Sequence, residues 1–280
     1  MKPRTVKKEA EVSEPSVDTN KATSRVLDVL SMFAGDVDSY GVTEIATQLG
    51  MSKNMAFRAL LTLADQGYLL RTEQGRYELG LRVVELLNPY QRDPDLRELA
   101  LPYMQRLHEL TGETVRLAVL SGDQIVIIDG IEPHAPIISR VAVGATFPLH
   151  LGPMARSVLA AMPDEAVEDY IAHHQPLRGV TQQSITTADA LRADVAAVRA
   201  QGYARGRGDL SPGLVSAAFS IVDGCNACWG CIAAGGPSDR FTTKKLEALL
   251  DGMKKIAADL NNVTRLYCAE TPGMPMGASR

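Results

Sequence analysis

From Ser24 onward, apolar residues recur at helical spacing: Val26, Leu27, Leu30 and Phe33, with Ser24 placed to cap the helix and Gly35 to stop it. The next stretch, "GVTEIATQLGMSKNMAFRALLTLADQGYLLR", carries two further helical patterns. Thr43 is a good N-cap for a short helix with Ile45, Ala46 and Leu49 on one face, and Gly50 permits a tight left-handed turn. Ser52 caps the second helix, whose Met55, Ala56, Ala59, Leu60 and Leu63 face inward. The period then changes to two. "YLLRTEQGRYELG" alternates around Gln74-Gly75, which predicts a β-hairpin with Arg71 and Arg76 near its tip.

Two helices joined by a glycine-containing turn form a helix-turn-helix pattern, in which the second helix enters the major groove of DNA. Its outward residues here are Lys53, Asn54, Phe57 and Arg58, and no acid lies between positions 52 and 64. Lys and Arg pair with guanine or phosphate, and Asn with adenine. A basic hairpin after the helix completes a winged arrangement. A helical bundle with a solvated charged face is the alternative reading of the same pattern. Bulk charge does not favour nucleic acid: the formal net charge is −4, and residues 1–80 hold ten Lys or Arg against eleven Asp or Glu. Local placement has to do what net charge does not.

Beyond the hairpin, "RDPDLRELALPYMQRLHELTGE" predicts a helix capped by Asp93, with Pro94 at its first position and an apolar stripe of Leu96, Leu99, Tyr103, Leu107 and Leu110. Pro102 inside it should kink or split it, as suits a joint between domains. "TVRLAVL", "QIVIIDGI" and "PIISRVAV" read as short strands. Helices are expected at about 153–161, 164–173 and 187–201, strands at 214–222 and 229–235, and a closing helix over "RFTTKKLEALLDGMKKIAADLNNV". Strands interleaved with helices, without a GxGxxG, predict an α+β sensor fold and not a nucleotide-binding one.

Composition adds only bounds. A chain of 280 residues has room for two domains, and 45% apolar with 22% charged residues is ordinary for a globular protein. Four cysteines make no disulfide scaffold, so a reducing cytoplasm is the expected location. No apolar run approaches the roughly 20 residues that span a bilayer, so no membrane partner is expected. The N-terminus has no apolar h-region, and both ends read as disordered arms. No nucleophile elbow, P-loop, zincin or Rossmann fingerprint occurs, so no catalytic residue is assigned and an enzyme is not expected.

In "VTEIATQLGMSKNMAFRALLTLADQGYLLR…GRYELG", "LRELALPYMQRLHELTGETVRLAVL", "FPLHLGPMARSVLA" and "AVRAQGYARGRGDLSPGLVSAAF", ending at "GGP", the chain resembles the IclR family of bacterial transcriptional regulators over roughly residues 22–265. The resemblance implies an α+β protein: an arm at 1–22, a winged helix-turn-helix domain at 23–88, a linker helix at 89–111, a GAF-like effector-binding domain at 112–266 and a flexible tail at 267–280. It further implies a homodimer or tetramer, a double-stranded DNA operator that is an imperfect palindrome, a small organic acid effector, and RNA polymerase as a partner should the protein activate. The DNA-binding set is then Thr43, Ser52, Lys53, Asn54, Phe57, Arg58, Arg71 and Arg76. In relatives, small acids bind at the start of the helix after "PLH". Here that helix opens "HLGPMARSV", with Pro153 in its first turn and the amides of Met154, Ala155 and Arg156 as anion donors. The family's other wall falls on Leu214, Ser216, Ala233 and Gly235. Small residues at 233 and 235, and the apolar Met154, imply a roomier pocket for an aromatic or branched carboxylic acid. His150 beside it is either a structural hydrogen-bonder or a ligand contact. His173 and His174 read as surface residues on a polar helix end.

"DGCNACWGCIAAGG" spaces Cys225, Cys228 and Cys231 by three. Strand alternation puts Trp229, Cys231, Ala233 and Gly235 on one face and Cys228, Gly230 and Ile232 on the other, so Cys231 joins the pocket candidates. A structural zinc needs four ligands and the ferredoxin spacing lacks its fourth cysteine, so no metal or cofactor is assigned. A metal- or redox-responsive regulator working through these three cysteines is the alternative to a carboxylate-responsive one.

Overall fold

The computed structural model describes residues 21–34, 37–87, 96–133 and 141–267. The contacts divide the chain into two compact units at Val84/Glu85.

In the smaller unit, α1 (Lys21–Ser31) leads through a single 3-10 turn (Met32–Ala34) to α2 (Val42–Gln48) and α3 (Lys53–Asp65). Strands β1 (Leu69–Arg71) and β2 (Tyr77–Leu79) pair antiparallel as the wing, and Tyr40 bridges to Tyr77. α4 (Arg82–Leu87) follows at the boundary. Val29, Phe33, Ile45, Leu60, Leu63, Leu69 and Tyr77 form one buried cluster, so each apolar stripe converges on the same centre. Ser52 caps α3 as expected, its Oγ accepting from the Met55 amide at 3.3 Å. The cap of α2 differs. The helix starts one residue before Thr43, with Gly41 as N-cap, and Glu44 Oε2 accepts from the Gly41 amide at 2.9 Å. Thr43 therefore lies inside the helix, where its carbonyl takes the Thr47 hydroxyl. Ser24 likewise sits within α1, and the expected stop at Gly35 lies outside the described residues.

The larger unit is built on a six-stranded antiparallel sheet of order β5-β4-β3-β8-β7-β6. Its strands are β3 (Thr114–Ser121), β4 (Gln124–Ile131), β5 (Thr146–Pro148), β6 (Ala204–Arg207), β7 (Leu214–Val222) and β8 (Cys228–Pro237). α5 (Leu96–Thr111) and α9 (Thr243–Thr264) pack on one face over Leu117, Val215, Phe219 and Ile232. α6 (Gly152–Ala161), α7 (Asp164–His173) and α8 (Ala188–Gln201) cover the other, over Ala118, Ile125, Ile127 and Cys231.

The helix expected as a joint is a core element of this unit. α5 runs unbroken past Pro102 and buries Leu96, Ala100, Met104, Leu107 and Thr111, a seam turned about one position from the predicted stripe. Pro102 is exposed, so the carbonyl four residues back faces water and the missing hydrogen bond costs little. The predicted cap at Asp93 and Pro94, and most of the strand read in "PIISRVAV", lie outside the described residues; Val141–Val143 are not strand. Two short edge strands, β5 and β6, were invisible to alternation: three and four residues hold too few positions to show a period.

Candidate functional site

In the smaller unit, Lys53, Asn54, Phe57 and Arg58 are all exposed on one face of α3, while Ala56, Ala59, Leu60 and Leu63 are buried behind them. Phe57 is 40% exposed and its helical neighbour Leu61 is 49%, so the face pairs cationic and apolar groups. On the wing, Arg71 is exposed. Arg76 is not available in the same way. Its Nη1 and Nη2 donate to Glu44 at 3.1 and 2.9 Å, and Nε and Nη2 donate to Ser39 at 2.8 and 2.7 Å. The Glu44 hydrogen bond raises the pKa of Arg76 and holds the Glu44 carboxyl below its ordinary range. Arg76 ties the wing to α2 while its side chain stays 39% exposed.

In the larger unit, a cavity that opens to solvent lies between the sheet and the start of α6. Pro153, Met154, Leu214, Ser216, Ala233 and Gly235 line it together. Phe147, Ile125, Ile127, Val141 and Leu210 add apolar walls that no pattern singled out, because they arrive from separate strands and loops. Gly235 is small for a packing reason: a Cβ there would lie 2.6 Å from the Ser216 Cβ on the paired strand.

Four expected residues are elsewhere. Ala155 is fully buried in the helix-side core. His150 is buried, with Nδ1 on the Tyr170 hydroxyl at 2.7 Å and Nε2 at 3.1 Å from the Arg178 carbonyl. Burial lowers its pKa, and both ring nitrogens are occupied, so it is a structural hydrogen-bonder. Arg156 is a hub behind the cavity. Nη1 donates to Asp194 at 2.7 Å, Nη2 to Asp209 at 2.5 Å and to the Arg205 carbonyl at 2.9 Å, and Nε to the Gly152 carbonyl at 3.2 Å. It thereby fixes the first turn of α6 against α8, β6 and the loop that carries Leu210 into the cavity wall. Thr181 and Ser184 hold the same loop through the carbonyls of Gly208 and Asp209.

Cys231 is the fourth. The pairing of β7 with β8 shifts between Ile221, opposite Gly230, and Val222, opposite Cys228. This bulge inserts one residue, and one residue reverses every side chain before it. Trp229 therefore joins Ile232 and Ala234 on the α5/α9 face, while Cys228 and Cys231 share the α6 face. Both thiols are free and buried, and burial pushes each pKa up, that of Cys228 to about 12. Such thiols are poor nucleophiles and poor metal ligands. Cys225 is disulfide-bonded, which its spacing does not predict. Among the described residues no group of three His, Cys, Asp or Glu side chains is placed to hold a metal ion.

His174 is also more engaged than a surface residue, stacking on Tyr170 at 4.1 Å with Nε2 on Asp123 at 2.7 Å.

Residues 90–262 match the family described as "Bacterial transcriptional regulator IclR C-terminal", and residues 22–73 match the "IclR helix-turn-helix domain". The chain belongs to the IclR family of bacterial transcriptional regulators. It is 29% identical to the HTH-type transcriptional regulator BhcR of Paracoccus denitrificans over 86% of each chain. It is 26% identical to the transcriptional repressor IclR of Escherichia coli K12, over 86% of this chain and 88% of that one. An IclR homologue from Microbacterium hydrocarbonoxydans, solved in complex with 4-hydroxybenzoate, superposes with a TM-score of 0.76 at 23% identity, covering 88% of this chain and all of the other.

IclR proteins are DNA-binding transcriptional regulators and not enzymes, and the winged helix and α+β unit are the IclR architecture. Among the described residues no helix is long and apolar enough to cross a membrane.

Proposed function

We propose that this IclR regulator responds to a small carboxylic acid and controls a catabolic operon. The observation that carries the reading is the cavity: an almost wholly apolar space opening on the first turn of a helix. Because α6 begins at Gly152 and Pro153 has no N–H, the amides of Gly152 and Met154 are among the donors at its open end. The Ala155 amide stands next in the same first turn. A carboxylate there meets the positive end of the helix dipole while its carbon body lies against Phe147, Ile127, Met154 and Leu210. The 4-hydroxybenzoate in the Microbacterium homologue makes aromatic acids the first class to screen.

In the smaller unit, α3 is the reading helix, with Lys53, Asn54, Phe57 and Arg58 directed at the major groove and Arg71 on the wing at a phosphate. Recognition by a homodimer or tetramer makes the operator an imperfect palindrome with half-site centres about 10 base pairs, or a multiple, apart. A thermal-shift screen of organic acids tests the cavity. An acid at about 100 times its dissociation constant adds roughly 2.7 kcal/mol of stability. Met154→Trp, which fills the space beside the anchor, removes that gain. An identical gain in Met154→Trp puts the binding site elsewhere.

A further inference from the structure

Among the described residues lining the cavity, Arg116 is the one charged side chain, and no acid lines it. Sequence alternation gives no hint of it, because an arginine in "TVRLAVL" reads as a solvent-facing strand position. In the fold it is buried, with its side chain 9% exposed. It stands on β3 opposite Ala233 of β8 on one side and Gly130 of β4 on the other. Gly130 makes the berth: a Cβ there would lie 2.1 Å from Nη1 and 2.9 Å from Cδ and Cζ. Nη2 donates at 2.7 Å to Glu132 Oε1, and Glu132 is 44% exposed.

The two ends of this ion pair are unequal. A cation beside an apolar cavity needs a counter-charge, since its hydration is lost. A half-exposed carboxylate is held by little more than a surface pair and returns to water at small cost. An anionic group on a ligand can therefore take the guanidinium, which offers planar, bidentate pairing to carboxylates. Arg116 is also displaced from the α6 end of the cavity. Pro153 packs over Gly206 of β6 while Arg116 stands on β3 with its guanidinium over Gly130 of β4, so the two reach the same cavity from different strands.

We propose that Arg116 selects an elongated acid with a second anionic group: one carboxylate at the start of α6, an apolar body across the sheet, and the second anion on Arg116 in place of Glu132. This rests on the reading of the cavity as the effector site.

Calorimetric titration with two matched pairs, hexanoate against adipate and benzoate against terephthalate, tests it. The wild-type protein is expected to prefer the diacid of at least one pair by roughly tenfold or more, the scale of one charge-assisted hydrogen bond. Arg116→Gln should erase that preference while the monoacid still binds, and Arg116→Lys should keep part of it. Glu132→Gln, a change at the exposed end of the pair, should tighten the diacid several-fold and leave the monoacid alone; it carries the test if Arg116→Gln does not fold. Equal binding of mono- and diacids by the wild type, or a preference that survives in Arg116→Gln, or no change in Glu132→Gln, overturns the role of Arg116 while leaving the cavity reading standing. If none of the four acids binds, the cavity reading falls and this inference with it.

Discussion

The two units keep their chemistry in opposite places. In the winged unit, the apolar stripes are spent on one small core and the candidate contacts, from Lys53 to Arg71, stand outside it on the surface. In the larger unit, the candidate contacts are themselves interior: they are what the sheet and α6 leave between them. A surface reader is specified by which residues a helix does not bury, a property of one element. A cavity is specified by how several elements register against one another. Substitutions in the two units should therefore fail differently, by lost contact in the first and by lost structure in the second.

The largest effect is expected behind the cavity. Arg156→Met leaves the buried Asp209 and the half-buried Asp194 without their counter-charge, which costs about 3–5 kcal/mol. Urea unfolding should show it, and a loss within the error of the measurement would mean that the hub does not hold this unit together. In the winged unit, Arg58→Ala should lower specific operator affinity by roughly 1–3 kcal/mol with an unchanged melting temperature. An unchanged operator affinity moves the reading surface away from Arg58.

The two wing arginines sharpen the contrast within one unit. Arg71→Ala should weaken binding to all DNA sequences alike and reduce the slope of log affinity against log salt by about 1. Arg76→Ala should instead loosen the wing from α2, since it breaks the contacts to Glu44 and Ser39, and should show first in proteolysis or hydrogen exchange of that hairpin. Interchangeable salt slopes for the two variants would contradict the distinction.

The smallest effect concerns pH. The pKa of His150 lies below the ordinary 6.5 in the folded protein. Its share of stability is full above 6.5, where both states are neutral. It is lost as pH falls below that value and the unfolded chain takes up a proton the folded chain refuses. Between pH 7.5 and 5.5, His150→Gln should flatten the fall in stability relative to the wild type; parallel curves would mean that His150 does not contribute.

The same contrast explains what could be read from the chain. The α3 face and the hairpin followed from local spacing, because period 3.6 and period 2 each assign a residue to a side without further knowledge. The tie from Arg76 to α2 was not legible because its partners, Glu44 and Ser39, lie more than thirty positions upstream. On β8 the period was right from Gly230 onward and inverted before it, since a bulge depends on how the neighbouring strand pairs. The α6 position was legible through Pro153, but Arg116, Phe147 and Leu210 enter the cavity only through cross-strand register and a loop. Pro102 does not split its helix for a related reason: its cost depends on which way it faces, and it faces solvent.

A ligand in this cavity is expected to change how the protein holds DNA. This is tested most directly by measuring operator affinity while titrating an acid that stabilises the wild type, in parallel with Met154→Trp. The acid should shift operator affinity of the wild type and leave that of Met154→Trp where it was, both proteins binding the operator equally without acid. The same shift in both proteins would contradict it.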